Sequence, residues 1–327
     1  MTAAGTPVFQ ELRQRVSAQI NQVVVGQQLV ADQLLIALAC GGHVLLEGVP
    51  GVAKTLLATV TARSLGLQFR RIQFTPDLLP SDLTGTMTLR DRELVFRPGP
   101  VFTNVLLADE LNRTPPKTQA ALLEAMQEHQ VSVDGVSRPL AEPFLVIATQ
   151  NPIEHEGTYP LPEAQLDRFL LKVEVGYPAE ADELAMATQA RRGLDSSALD
   201  QVAPVAGADA VMAARSEVDT THVAPEVAAY AVAIVRRTRE LPAIELGASP
   251  RAAVHLLAVA RAVARLSGRA YVTPDDVVWA APRVLAHRLR LRPEAELERY
   301  RAGDAVAAAV SAVAVPRRGE TREPVSG

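Results

Sequence analysis

The fold turns on one stretch: His43-Val44-Leu45-Leu46-Glu47-Gly48-Val49-Pro50-Gly51-Val52-Ala53-Lys54-Thr55, followed by the helical run Leu56–Ser64. His43–Glu47 reads as a short apolar strand. The glycine-bearing loop after it runs directly into a helix. In that context the backbone N–H groups of the loop and of the first helical turn converge on a phosphate. Lys54 is placed to reach the β- and γ-phosphates, and Thr55 to hold Mg²⁺. The candidate cofactor-binding set is Gly48, Val49, Pro50, Gly51, Val52, Ala53, Lys54, Thr55 and Leu56. Ala53 stands where the general pattern has a second glycine. The expectation is that Ala53 carries right-handed helical dihedrals and already begins the helix.

Working outward, residues 27–40 read as an amphipathic helix stopped by Gly41-Gly42. Four further strands are expected at Gln68–Phe74, Asn104–Ala108, Phe144–Thr149 and Phe169–Val175. Short, nearly continuous apolar strands alternating with helices point to a parallel five-stranded sheet covered on both faces. Two hairpins interrupt the pattern, at Met87–Phe96 and at Val131–Val136, the second turning at Asp134-Gly135. After Tyr177-Pro178 the chain becomes rich in Ala, Val and Arg with helical spacing. The expected domains are an α/β core over 1–178 and an all-helical domain over 179–327, with a disordered tail from Arg317. Val254, Leu257, Val259, Val263 and Leu266 fit one helix face, and Thr273-Pro274-Asp275-Asp276 reads as a helix start.

Val105-Leu106-Leu107-Ala108-Asp109-Glu110 is the second chemical element. An acid at the carboxyl end of a parallel strand faces the crevice where ligands bind. Asp109 suits the Mg²⁺ shell and Glu110 suits polarising an attacking water. A third strand ends in Thr149-Gln150-Asn151-Pro152, where Asn151 can position water near the γ-phosphate. Two arginines stand out. Arg251 follows Ser249-Pro250 and so falls in a first helical turn, where the helix dipole disfavours a cation and an anion partner would relieve it. Arg168 ends a helix before the last strand. It reads either as a local ion pair or as an arginine finger reaching another subunit's nucleotide.

Composition bounds the alternatives. Apolar residues make up 48% of the 327 and charged residues 21%, which supports a sizeable core. A net charge of −4 lacks the basic footprint of a nucleic-acid binder. The single cysteine, Cys40, excludes an intrachain disulfide framework. The N-terminus has no signal-peptide pattern, and no apolar run reaches the about 18 residues of a membrane span, so the expected location is cytoplasmic. The six histidines show no metal-ligand spacing.

GVPGVAKT, LLADELNRTPPKTQAALLEAMQE, VIATQNPIEHEGTYPLPEAQLDRF and GASPRA, in this order and spacing, resemble the MoxR family of AAA+ ATPases over about residues 20–290. The resemblance implies an AAA+ P-loop core with inserted hairpins and a helical lid. It implies Lys54 and Thr55 as Walker A, Asp109 and Glu110 as Walker B, Asn151 as sensor 1, Arg251 as sensor 2 and Arg168 as the finger. It places Val24-Val25-Gly26-Gln27 at the adenine, making Gly26 and Gln27 cofactor-binding. Arg113 and Glu156 fall in family-like motifs without an assigned role. It further implies ATP and Mg²⁺ as cofactors, a homo-oligomeric, hexameric ring, a chaperone-like action on client proteins, and a partner carrying a von Willebrand factor type A domain.

Three other readings compete. A DNA-directed motor keeps some support from Arg236, Arg237, Arg239, Arg261 and Arg265, which otherwise read as a solvated helix face. A magnesium-chelatase-like subunit shares the inserted hairpin. A GTPase or small-molecule kinase lacks support, since no lysine follows an asparagine as guanine recognition by NKxD needs.

Overall fold

The computed structural model describes residues 7–49, 51–150, 158–188 and 196–316. Contacts divide the chain into two units, Met1–Asp219 and Thr220–Gly327. The expected disordered tail lies outside the described residues.

The first unit opens with α1 (Val8–Ile20) and α2 (Gln28–Ala39), followed by β1 (Val44–Gly48) and α3 (Lys54–Ser64). α2 is not the amphipathic helix expected. Nine of its residues are buried, Val30, Leu34 and Leu38 among them. It lies against α1 and α3, so it meets protein on most sides and has little use for a polar face. β2 (Phe69–Gln73) leads through α4 (Pro80–Thr84) into a hairpin, β3 (Gly85–Arg90) and β4 (Glu93–Pro98). β5 (Val105–Asp109) is followed by α5 (Pro116–Glu128) and a second hairpin, β6 (Gln130–Val133) and β7 (Val136–Pro139). β8 (Leu145–Gln150), α6 (Glu163–Leu166) and β9 (Leu171–Val175) complete the sheet.

The five strands run parallel in the order β2-β5-β8-β1-β9. β1, β5 and β8 carry fully buried runs such as Leu45, Leu106 and Ile147, as strands covered on both faces must. One side of the sheet packs a cluster of Phe74, Phe144, Phe169, Leu122 and Met126 beneath α5. Both hairpins turn through left-handed pairs, Asp91-Arg92 and Asp134-Gly135, the geometry that matches strand twist. Arg138 of β7 lies 3.9 Å over the Phe96 ring of β4 and so joins the two hairpins.

The strand-rich part ends with β9, but the first unit continues through α7 (Glu180–Thr188) to α8 (Ala208–Asp219). α8 returns onto α1 and α2. Glu217 accepts a hydrogen bond from the Phe9 backbone at 2.8 Å, and Arg215 donates to the Leu38 carbonyl at 3.3 Å. Contacts therefore place the division at residue 219, beyond the 178 read from the change in composition.

His43, fully enclosed at the foot of β1, fastens two elements of this unit. Its Nδ1 accepts from the Val146 backbone N–H of β8, and its Nε2 lies 3.0 Å from the Met126 carbonyl of α5. An amide N–H can only donate, so Nδ1 carries no proton and Nε2 is the donor. Burial lowers the His43 pKa to about 4. The bond to Met126 opposes that shift, and His129 and Arg215 reinforce it. With the folded pKa below the ordinary 6.5, the stabilisation is complete above pH 6.5 and is lost as pH falls towards 4. A shift of this size corresponds to about 3 kcal/mol. Urea unfolding of wild type and His43→Phe between pH 7 and 4 is expected to show a steeper loss in wild type. Equal slopes would assign the proton uptake to another group.

The second unit holds α9 (Pro225–Arg237), β10 (Ile244–Leu246), α10 (Pro250–Leu266), α11 (Pro274–Leu285), β11 (Arg290–Leu291), α12 (Pro293–Leu297) and α13 (Ala302–Ser311). It is helical apart from the short antiparallel ribbon of β10 and β11. The buried side of α10 is Ala252, Leu256, Val259, Ala260 and Ala264, while Val254 is 67% exposed. The expected Val254 stripe is thus displaced. α10 lies against α11, whose Ala280 and Ala281 are buried, and a close crossing selects small side chains over the larger ones that periodicity favours. The expected start of α11 is present: Asp276 Oδ2 accepts from the Thr273 N–H at 2.8 Å, and Arg269 pairs with Asp276 at 2.6 Å.

Candidate nucleotide site

β1 delivers the loop to the carboxyl edge of the sheet. Gly48 is in register with Val175, and a Cβ at Gly48 would stand 2.5 Å from the Val175 carbonyl, so glycine is required there. Gly51 has φ +86° with open space around it. Ala53 departs from expectation. It has φ 58° and ψ 26°, the left-handed region, and α3 begins only at Lys54. The loop must reverse just before the helix, and a left-handed residue makes that reversal. This is the demand glycine meets without strain and alanine meets at a cost of about 1–2 kcal/mol. Pro50 lies outside the described residues.

Lys54 folds back over the loop, and its Nζ donates to the Gly48 carbonyl at 2.7 Å. Desolvation lowers its pKa, while the charges of Asp109 and Glu110 oppose that shift. Thr55 and Leu56 are half-buried in the first turn of α3, where unpaired N–H groups and the positive end of the helix dipole meet.

Asp109 ends β5 and Glu110 follows in a left-handed conformation, φ 58° and ψ 48°. One hydroxyl holds both. Thr149 of β8 donates to Asp109 Oδ1 at 2.6 Å and accepts from the Glu110 N–H at 2.9 Å. Arg71 Nη2 pairs with Asp109 Oδ2 at 2.6 Å and donates to Gln73 Oε1 at 3.0 Å. Gln73 Nε2 donates in turn to Glu110 Oε2, on which Arg113 Nε also lies at 3.1 Å. The structure thereby gives Arg113 a place, against the carboxylate of Glu110.

Sequence reasoning missed Arg71, Gln73 and Thr149. Arg71 and Gln73 alternate and so share a face of β2, but only the β2–β5 pairing brings that face beside Asp109.

Gly26 has φ +76°. Gln27 is 8% exposed, its Nε2 3.4 Å from the Gly176 carbonyl just past β9. The Val24–Gln27 segment is therefore tied to the strand end that adjoins Gly48. Arg168 is half-buried between α6 and β9 and makes no ion pair among the described residues. Asn151 and Glu156 lie outside the described residues. Arg251 belongs to the second unit, where it is exposed in the first turn of α10. Within that unit, three of the five arginines weighed as a DNA-tracking face are used locally. Arg237 pairs with Glu240 at 2.9 Å, Arg239 donates to the Ala248 carbonyl at 2.9 Å, and Arg265 donates to Thr221 Oγ1 at 2.8 Å.

A parallel sheet with a strand–loop–helix at β1 and an acid pair at the end of the non-adjacent β5 defines a P-loop ATPase of the AAA+ class. Residues 43–171 match the ATPase family associated with various cellular activities, and residues 236–310 match the AAA lid domain. The chain is 44% identical to Chaperone MoxR1 of Mycobacterium tuberculosis over 86% of its own length and 76% of that protein. It is 34% identical to Protein MoxR of Paracoccus denitrificans, over 86% of the chain and 89% of that protein. The chain belongs to the MoxR family of AAA+ ATPases. It is also 48% identical to the protein YeaC of Bacillus subtilis, over 91% of the chain and 92% of that protein. The crystal structure of a candidate ATPase from Cytophaga hutchinsonii superposes with a TM-score of 0.88 at 41% identity, covering 94% of this chain and 96% of that one. Among the described residues no helix is long and apolar enough to cross a membrane.

Proposed function

We propose that this chain binds MgATP at the β1–α3 loop and hydrolyses it as one subunit of a homo-oligomeric, hexameric ring that remodels client proteins. The observation carrying this reading is the convergence of the Lys54 ammonium with the carboxylates of Asp109 and Glu110 beside a glycine loop at a helix N-terminus. The residues present fit the cofactor. The loop needs glycine at Gly48, and it offers backbone N–H groups and an ammonium for phosphates. Asp109 and Thr55 offer the hard oxygen ligands that Mg²⁺ takes alongside phosphate oxygens. When bound, Mg²⁺ supplies charge neutralisation at the phosphates.

In this reading Lys54 holds the β- and γ-phosphates and Glu110 polarises the attacking water. Asn151 and Arg251 serve as sensors, and Arg168 stabilises charge at the site of the next subunit. Gly26 and Gln27 border the adenine. The chaperone-like action follows the name of the Mycobacterium tuberculosis relative. A partner with a von Willebrand factor type A domain and a cytoplasmic location belong to the same reading. Equilibrium binding of a fluorescent ATP analogue tests the site. Lys54→Ala is expected to weaken binding about 100-fold or more, since it removes a charge-assisted contact to two phosphates from a desolvated position. Undiminished binding by the folded variant would move the nucleotide elsewhere. Mass in solution with and without ATP tests the ring.

A further inference from the structure

Both oxygens of the Asp109 carboxylate are engaged. Thr149 takes Oδ1 with a neutral hydroxyl at 2.6 Å. Arg71 takes Oδ2 with a full positive charge, Nη2 at 2.6 Å and Nε at 3.1 Å. A charge-assisted bond of this length occupies the lone pairs that a divalent cation would use. Arg71 rises from β2, the edge strand of the sheet, and its side chain is 49% exposed against 15% for Asp109. The guanidinium, half in solvent and also held by Gln73 Oε1 at 3.0 Å, can leave Oδ2 towards solvent, while the carboxylate stays pinned by Thr149. Ion pairs with one partner in solvent carry little net free energy, so such a contact competes with a cation without excluding it.

We propose that Arg71 sets the divalent-cation requirement of the site, its guanidinium competing with Mg²⁺ for Asp109 Oδ2 and leaving the carboxylate when the cation is held there. This rests on the reading of Lys54, Thr55 and Asp109 as the MgATP site.

The test is the affinity of the full chain for a fluorescent ATP analogue across a Mg²⁺ titration, in wild type, Arg71→Met and Arg70→Met. Arg70 is the neighbouring exposed arginine of β2 and, by strand alternation, belongs to the opposite face. Its replacement removes the same charge without touching Asp109. The Mg²⁺ concentration giving half of the Mg²⁺-dependent gain in affinity is expected to fall about three- to tenfold in Arg71→Met and to stay near wild type in Arg70→Met. Arg71→Lys, with one point charge in place of a fork, is expected between wild type and Arg71→Met. It carries the test if Arg71→Met does not fold. An unchanged or raised Mg²⁺ requirement in the Arg71 variants overturns the proposal. So does an equal fall in Arg70→Met, which would be a general effect of charge. Failure of the underlying site reading looks different: nucleotide binding then survives Lys54→Ala and ignores Mg²⁺ in every variant.

Discussion

Glu110→Gln is expected to leave ATP binding near wild type while lowering steady-state turnover by about two to four orders of magnitude. The substitution keeps the volume of the side chain. The amide oxygen it introduces can still accept from Gln73 and Arg113, so the surroundings of the left-handed turn are largely retained. The negative charge proposed to polarise water is removed. The backbone N–H at this position still meets Thr149 Oγ1, so the β5–β8 junction should hold and thermal unfolding should change little. Measuring turnover and binding on the same preparation separates chemistry from affinity. Turnover retained within a few fold would assign the activation of water to another group.

Arg168→Ala is expected to be comparably severe, lowering turnover by about 10³-fold or more if Arg168 acts as a finger on a neighbouring subunit. The decisive measurement is complementation. Mixed rings of Arg168→Ala and Glu110→Gln subunits contain interfaces at which an intact Arg168 faces an intact Glu110. They should therefore recover activity that neither variant has alone. A half-buried arginine that makes no ion pair among the described residues suits this role better than that of a local fastener. If mixed rings form and activity does not return, Arg168 acts within its own subunit.

The elements that carry the candidate site were legible where they are local. A strand, a glycine loop and a helix start are contiguous in Val44–Ser64, and the two acids follow an unbroken apolar run in Val105–Ala108. The same locality made both hairpins readable. What could not be read depended on contacts distant in the chain. Alanine favours right-handed dihedrals, so nothing local announces that Ala53 is left-handed; the closure of the loop between β1 and α3 imposes it. Periodicity chose Val254 for the core of α10, yet the crossing with α11 buries the alanine side. A change of composition at residue 178 marked the end of the strands, not the end of a compact unit, because the return of α8 onto α1 and α2 leaves no local trace.

By itself, then, the sequence determined the class of fold, the glycine loop between a strand and a helix, the acid pair at the end of a strand and the family, all carried by short contiguous segments. The tertiary structure alone decided what surrounds the acids. Placing β2 and β8 on either side of β5 sets Arg71 and Thr149 on Asp109, and Gln73 beside Glu110. The physical reason is that strand order is chosen by packing of the whole sheet. Two side chains separated by tens of residues acquire a shared hydrogen bond only once that order exists.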